Sequence, residues 1–143
     1  MRFMVLVKAN KDSEAGVLPS KELLAAMGQF NEEMAKAGVL LAGEGLQASS
    51  KGARVSFSGR KRLVTDGPFA ETKELIAGFW MIQVKSKDEA IEWMKRAPFA
   101  DGEVIEVRQV FEASDFPPDI FPPEDAAREQ ALRDELQKKA AEA

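Results

Sequence analysis

Hydrophobic residues occupy both sides of the segment that opens the chain. Within the first eight residues, one face carries Phe3, Val5 and Val7, and the opposite face carries Met4 and Leu6. A strand that is apolar on both faces is typical of the centre of a sheet, because both of its faces are covered. The pattern therefore predicts a central strand at the start of the fold.

A helix is predicted next, after a polar stretch. Ser20 is a favourable N-cap, and Gly38 lies where a left-handed residue commonly ends a helix. Between them, apolar residues recur at helical spacing, which predicts a stripe that faces the core. The stripe consists of Leu23, Met27, Phe30 and Met34.

The segments that follow predict further strands and a second helix. Ser86 and Glu89 have the spacing of a capping box and open this helix, which Pro98 is expected to end. The turn between the third and fourth strands predicts a β-hairpin. The predicted strands are Val39–Gln47, Ala53–Ser58, Arg62–Asp66, Leu75–Val84 and Glu103–Glu112.

Two of these strands predict a sheet face of mixed polarity. In the second strand, alternation places Glu44 on one face with apolar neighbours, and Gly43 and Gly45 indicate a bulge or a close backbone approach. In the last strand, Glu106 and Arg108 share one face, and the opposite face is apolar. The neighbours of Glu44 are Leu40, Ala42 and Leu46; those of Glu106 and Arg108 are Val104 and Val110; the apolar face carries Ile105, Val107 and Phe111.

The order of elements is β-α-β, an inserted hairpin, and β-α-β. This order predicts an α+β fold of the ferredoxin-like type, with two helices on one side of an antiparallel sheet. We expect this domain to span residues 1–113. Residues 114–143 are predicted to form a proline-rich strap and a charged, solvated helix, Glu124–Ala141, whose i,i+4 charge pairs favour a helix.

Two helices cover only one face of such a sheet, so the mixed face needs another explanation. Its residues are too apolar for easy solvation and too charged for a dry core. The favoured interpretation is a symmetric homodimer whose two sheets face each other around a partly polar cavity. The alternative is a sheet surface that remains half wetted by solvent.

Three absent residue types limit the chemistry, because the 143 residues contain no Cys, no His and no Tyr. Thiol nucleophiles, the Ser-His-Asp triad and most transition-metal sites are therefore excluded. No carboxylates are spaced like a calcium loop, and no glycine-rich phosphate loop precedes a helix. The sequence therefore predicts no metal and no cofactor.

The charge pattern argues against two classes of partner. The net charge is −4, which provides no positive field to collect phosphates, and only Arg60, Lys61 and Arg62 form a basic turn. No segment approaches the roughly 20 apolar residues that a membrane span needs. We therefore expect a cytoplasmic protein that binds neither nucleic acid nor membrane.

The densest group of polar side chains follows the hairpin. Asp66, Gly67 and Pro68 have turn chemistry, and Thr65 and Lys73 add a hydroxyl and a cation close by in the sequence. One interpretation is a well-capped loop with a surface ion pair, which contributes only about 0–1 kcal/mol. The other is a functional site.

At this motif the chain resembles the DGPF branch of the YCII-related family. The resemblance extends over most of residues 1–112 in the order of the family. It implies a dimeric α+β barrel, in which ferredoxin-like protomers pair sheet to sheet. The matching segments are 2–8, 37–40 with 43–46, 66–69 with 71–74, and 102–108.

The resemblance implies less about activity. Better-studied relatives carry a His–Asp pair for acid–base chemistry, including removal of chloride from a chlorinated hydroquinone. The corresponding positions here are near Met27 and Lys36, which cannot do this chemistry. Members of the DGPF branch are often encoded beside extracytoplasmic-function sigma factors, which implies an accessory or sensing role.

Three hypotheses follow. The first is a small, anionic molecule bound in the inter-subunit cavity. The second is a non-catalytic accessory or regulatory dimer that acts with a protein partner such as an extracytoplasmic-function sigma factor. The third is an acid–base enzyme that uses a carboxylate as base, because apolar burial can raise the pKa of a carboxyl group toward neutrality.

The candidate site residues come from the motif and from the mixed sheet face. Asp66 or Glu44 would be the catalytic base. Arg108, Arg54 and Lys73 would hold an anionic oxygen, and Thr65 would donate a hydrogen bond. Glu106 could join this site or form a structural pair with Arg108.

Overall fold

The computed structural model describes residues 1–142. It divides into two compact units, Met1–Val110 and the residues from Phe111 onward. The predicted boundary after residue 113 lies close to this division. Each unit is described separately below.

The first unit combines a four-stranded antiparallel sheet, two longer helices and a separate two-stranded hairpin. The sheet order is β2-β5-β1-β6, so the chain-opening strand lies at the centre, as the alternation predicted. With the hairpin β3–β4 inserted, this is the ferredoxin-like arrangement, and the predicted α+β fold is confirmed. The elements are β1 Arg2–Lys8, α1 Lys11–Glu14, α2 Lys21–Lys36, β2 Leu40–Gly45, β3 Ala53–Ser58, β4 Lys61–Asp66, β5 Ile76–Gln83, α3 Lys87–Met94 and β6 Ile105–Gln109.

The core lies between one face of the sheet and the two longer helices. From α2, Phe30 and Met34 are buried, and the predicted caps are present: Ser20 accepts a hydrogen bond from the Leu23 N–H at 3.1 Å, and Gly38 has φ +73°. These side chains pack with the inward residues of the strands and of α3. The buried set is Phe3, Val5, Phe30, Met34, Val39, Trp80, Ile82, Val84, Ala90 and Met94.

Helix α3 begins as predicted but ends earlier. Ser86 accepts from the Glu89 N–H at 3.1 Å, whereas the Glu89 carboxylate accepts from Lys85, one residue before the cap, at 2.8 Å. The helix ends at Met94 rather than at Pro98. The residues between them form tighter turns, such as the bond from the Ala97 N–H to the Met94 carbonyl.

The predicted face of Leu40 is wrong. The pairing of β2 with β5 shifts between Leu40 and Ala42, so Leu40 opposes Ile82 and packs against the core. This bulge changes the alternation by one residue, and Ala42 then opposes Met81 on the other face. The predicted close approach is confirmed at Gly43, where an added Cβ would lie 2.6 Å from Cδ1 of Trp80.

Two further expectations from the pattern differ from the structure. Strand β6 ends at Gln109, so Phe111 lies outside the sheet and in the second unit, with 70% of its surface exposed. The short helix α1 was not predicted. Asn10 caps it by accepting from the Ser13 N–H at 2.8 Å, and Ser13 Oγ accepts from the Asn10 N–H at 2.9 Å.

The second unit contains α4, Pro123–Glu142, which has no buried residue. The Glu129–Arg133 and Glu135–Lys139 pairs lie at 3.3 and 3.6 Å along its surface. This agrees with the predicted solvated helix. Of the helices within residues 1–142, none has the length and apolar character needed to cross a membrane.

Candidate functional site

The sheet face away from the helices, here called the open face, is apolar at its centre and charged at its edges. The strand registers place Glu44, Phe79, Leu6 and Glu106 in one row across the sheet, and Ala42, Met81, Met4 and Arg108 in the next. The four central side chains are half-buried. The predicted mixed character of this face is therefore confirmed, with Leu40 removed from it.

The charges of the open face separate into two groups. On β6, Glu106 lies 3.9 Å from Nε of Arg108 and 3.5 Å from Nζ of Lys8, so it pairs with two cations. Glu44 lies on the opposite edge strand, three strand spacings or roughly 14 Å away. Within one chain, Glu44 is therefore not brought to Arg108.

The loop after β4 packs closely on the turn at Ser49. The Gly67 N–H donates to the carbonyl of Gly52 at 3.0 Å, and the Phe69 N–H donates to Ser49 Oγ at 3.1 Å. A Cβ on Gly67 would lie 1.7 Å from the Ser49 carbonyl oxygen, so only glycine fits. The Gly67–Pro68 peptide bond is cis. The two hydrogen bonds and the close approach at Gly67 hold residues 66–69 against the turn at Ser49.

A carboxylate that is distant in the sequence accepts hydrogen bonds from the residue on which this loop packs. Glu14 accepts from the Ser49 hydroxyl at 2.8 Å and from the Ser49 N–H at 3.1 Å. Ser49 therefore connects α1 to the loop, since its hydroxyl oxygen also accepts from Phe69. Glu14 and Ser49 could not be identified from the sequence, because residues 35 positions apart carry no local signal of this contact.

A cavity of about 370 Å³ lies beside the loop. Its one candidate residue from the sequence is Arg54, whose guanidinium carbon lies 3.7 Å from the centre of the Phe69 ring. The polar lining also includes Glu14, and the apolar lining includes Leu46. The complete lining is Glu14, Leu46, Gln47, Ala48, Ser49, Lys51, Gly52, Arg54, Phe69, Leu75 and Ile76.

The other candidates from the motif do not line this cavity. Thr65 opposes Arg54 across the hairpin, and Asp66 opposes Ala53. Both are exposed, as is Lys73 in the short turn that precedes β5. The candidates therefore form two groups, one at the motif and one on the open face.

The cavity wall continues into the open face. Ile76, which lines the cavity, opposes Lys8, and Lys8 contacts Glu106 on that face. Leu46 follows Glu44 by two residues and is 49% exposed. The cavity lining and the open face therefore meet at the Ile76–Lys8 pair.

The chain has no histidine for the acid–base pair of the family's better-studied relatives. In residues 1–142, no group of three or more carboxylates could hold a metal ion. Met27, at the family's histidine position, packs against the core, and Lys36 is exposed at the end of α2.

Comparisons with known proteins show a family match that covers the first unit and the few residues that follow it. The model of the YCII-related domain matches residues 1–114. An uncharacterised protein of Rhizobium meliloti (strain 1021) is 40% identical over 50 residues, which are 35% of this chain. The match spans 40% of that protein's length. This relative therefore gives no activity to transfer.

Proposed function

The chain belongs to the YCII-related family, and we propose that it is a homodimer that binds a small anionic molecule at the cavity beside Phe69. The observation that carries this proposal is that Arg54 lines the cavity without a carboxylate partner among the described residues. Among residues 1–142, it has no carboxylate within 4.0 Å, although it lines a concave site. A guanidinium group that has no carboxylate partner in the protein can pair bidentately with the carboxylate or phosphate of a ligand.

The packing around Arg54 favours binding. The Phe69 ring supports the guanidinium at 3.7 Å, and Ser49 in turn holds the Phe69 backbone. Less conformational entropy is lost on binding when a side chain is already held in position. Lys51, also in the lining, adds a second cation.

The dimer is supported by the open face. Its central residues are apolar, and exposed apolar side chains extend beyond them, including Val104 at 59% and Ile76 at 39%. A contiguous apolar surface of this kind is typical of an interaction site. Pairing of two copies through this face would cover its apolar side chains and would shield one side of the cavity from solvent.

Titration calorimetry with Arg54→Gln tests ligand binding. Wild-type protein is titrated with inorganic phosphate and with short carboxylates of three to six carbons. We expect at least one anion to bind, and Arg54→Gln to weaken that binding by about tenfold or more, since a charge-assisted hydrogen bond contributes roughly 1.5–3 kcal/mol.

Arg62→Gln is the matched control. Arg62 is on the same hairpin and stacks on Phe57 at 4.6 Å, but it does not line the cavity. This variant should bind as wild type does. Equal binding by wild type and Arg54→Gln, or equal losses in both variants, would contradict the proposal.

The hairpin favours a second candidate function, an accessory dimer that binds a protein partner such as an extracytoplasmic-function sigma factor. Its strands are exposed along their whole length, and they carry Val55, Phe57, Leu63 and Val64 at 54–73% exposure. On this account, a co-purifying sigma factor would slow amide hydrogen exchange in β3 and β4. Unchanged exchange there would remove this candidate.

The carboxylate-based enzyme has less support than either binding function. Asp66 and Glu44 are both exposed in the single chain. The desolvation that would make either one a base near neutral pH would have to come from the second copy of the dimer. Turnover of a bound anion that is lost in Asp66→Asn would support the enzyme.

A further inference from the structure

The charge of Glu14 restricts what the cavity can bind. Its carboxylate lines the cavity, and among the described residues it accepts from Ser49 alone, with Oε2 at 2.8 and 3.1 Å and Oε1 at the longer distance of 3.4 Å. No cationic side chain of residues 1–142 lies within 4.0 Å of it. Oε1 of Glu14 therefore has acceptor capacity left.

A ligand whose only charged group is an anion would interact with charges of both signs in the cavity lining. Its anionic group would be attracted to Arg54, but it would also be repelled by Glu14, because like charges brought together in a site of reduced solvation are unfavourable. A hydrogen-bond donor on the ligand removes this conflict. An ammonium group would pair with Glu14 directly, and a hydroxyl group would donate to Oε1.

The apolar residues of the lining indicate which uncharged group the ligand carries. Leu46, Leu75 and Ile76 form an apolar wall, and the volume of about 370 Å³ is near the lower end for small-molecule sites. This wall suits a short aliphatic group. The cavity thus offers two cations, Arg54 and Lys51, one carboxylate and one apolar surface.

We propose that the cavity takes a small carboxylate that carries an amino or hydroxyl group beside the carboxylate, together with a short aliphatic side chain. This inference rests on the proposed function, since Arg54 is the residue that holds the carboxylate. Glu14 is the added determinant, and it selects against simple anions of the same size.

Three probes with one carbon skeleton test it by titration calorimetry: leucine, 2-hydroxy-4-methylpentanoate and 4-methylpentanoate. With wild-type protein we expect leucine or the hydroxy acid to bind about tenfold or more tightly than 4-methylpentanoate. In Glu14→Gln, this preference should disappear, because the charge is lost. The Gln amide oxygen can still accept from Ser49, so the loop should remain folded.

Glu32→Gln is the control for net charge, because it removes the same charge from the exposed surface of α2 without touching the cavity lining. It should keep the wild-type preference. The thermal unfolding midpoint of Glu14→Gln establishes whether its fold is intact.

The outcomes separate the two proposals. If 4-methylpentanoate binds at least as tightly as the other probes and Arg54→Gln abolishes its binding, this inference is overturned while the proposed anion site stands. If the preference survives in Glu14→Gln, the inference is also overturned. If neither these probes nor the simple anions bind wild-type protein, the proposed function itself fails.

Discussion

Gly67 shows how one residue fixes the loop that forms the cavity wall. Its backbone N–H is bonded to Gly52, and the space for a side chain is filled by the Ser49 carbonyl. This requirement is steric, because the neighbouring atoms are backbone atoms that cannot rotate away. The motif's turn chemistry predicted a loop here, but not the element on which the loop packs.

Gly67→Ala is therefore expected to destabilise the protein. The added methyl group must displace either the loop or the turn at Ser49, and overpacking of this kind costs about 1–3 kcal/mol in the free energy of unfolding. Urea denaturation followed by tryptophan fluorescence measures the change, since Trp80 and Trp93 lie in the first unit.

The same substitution at Gly28 is the control. Gly28 lies in α2, and an added Cβ there meets nothing within 4 Å. Alanine should stabilise a helix interior by about 0.5–1 kcal/mol. Equal effects at the two positions would contradict the steric account of the loop.

At the residue scale, the members of local motifs could be identified from the sequence, whereas residues whose contacts are distant along the chain could not. Ser20, Gly38 and Ser86 were predicted as caps because their partners lie within four residues. Glu14 was not, because its role depends on Ser49, which approaches only after the chain has folded.

The elements differ in how much of the stability they carry. Helix α2 places Met34 in the core with no exposed surface, whereas α4 has no buried residue and Leu132 is 51% exposed. Both helices have apolar residues at helical spacing. The apolar stripe of α2 predicted burial, and the charged surface of α4 predicted solvation.

Met34→Ala should reduce the free energy of unfolding by about 2–5 kcal/mol, because it removes buried methylene groups and leaves a cavity. Leu132→Ala should change it by less than about 0.5 kcal/mol, as expected for an exposed position. Thermal or urea denaturation of both variants measures the contrast. A small effect at Met34 would show that the core is not the one described.

Element types were easier to predict than faces. Alternation identified β1 as a strand that is apolar on both faces, and the sheet order confirms its central position. It misplaced Leu40, since a bulge reverses alternation without changing the composition of the strand. Phe111 was misplaced because its apolar side chain continues the period of β6 beyond the point where the strand ends.

On the scale of the whole molecule, the candidate residues from the sequence divide between two places. Arg54 lies in the cavity, with Thr65 opposite it on the hairpin, whereas Glu44, Glu106 and Arg108 lie on the open face. The sequence could group residues by motif and by strand face. It could not show that Ile76 and Lys8 connect the two places.

The proposed homodimer is the claim that joins them, because a second copy on the open face would cover the apolar rows and close the side of the cavity. Leu6→Glu places a charge at the centre of that face, between Phe79 and Glu106. Leu24→Glu, on the 58% exposed surface of α2, is the matched control.

Sedimentation equilibrium at micromolar concentration measures the mass of each variant directly. Wild type and Leu24→Glu should sediment at twice the 15.7 kDa of one chain, and Leu6→Glu should sediment as a single chain. A monomeric wild type, or a Leu6→Glu variant that remains dimeric, would contradict the pairing of open faces.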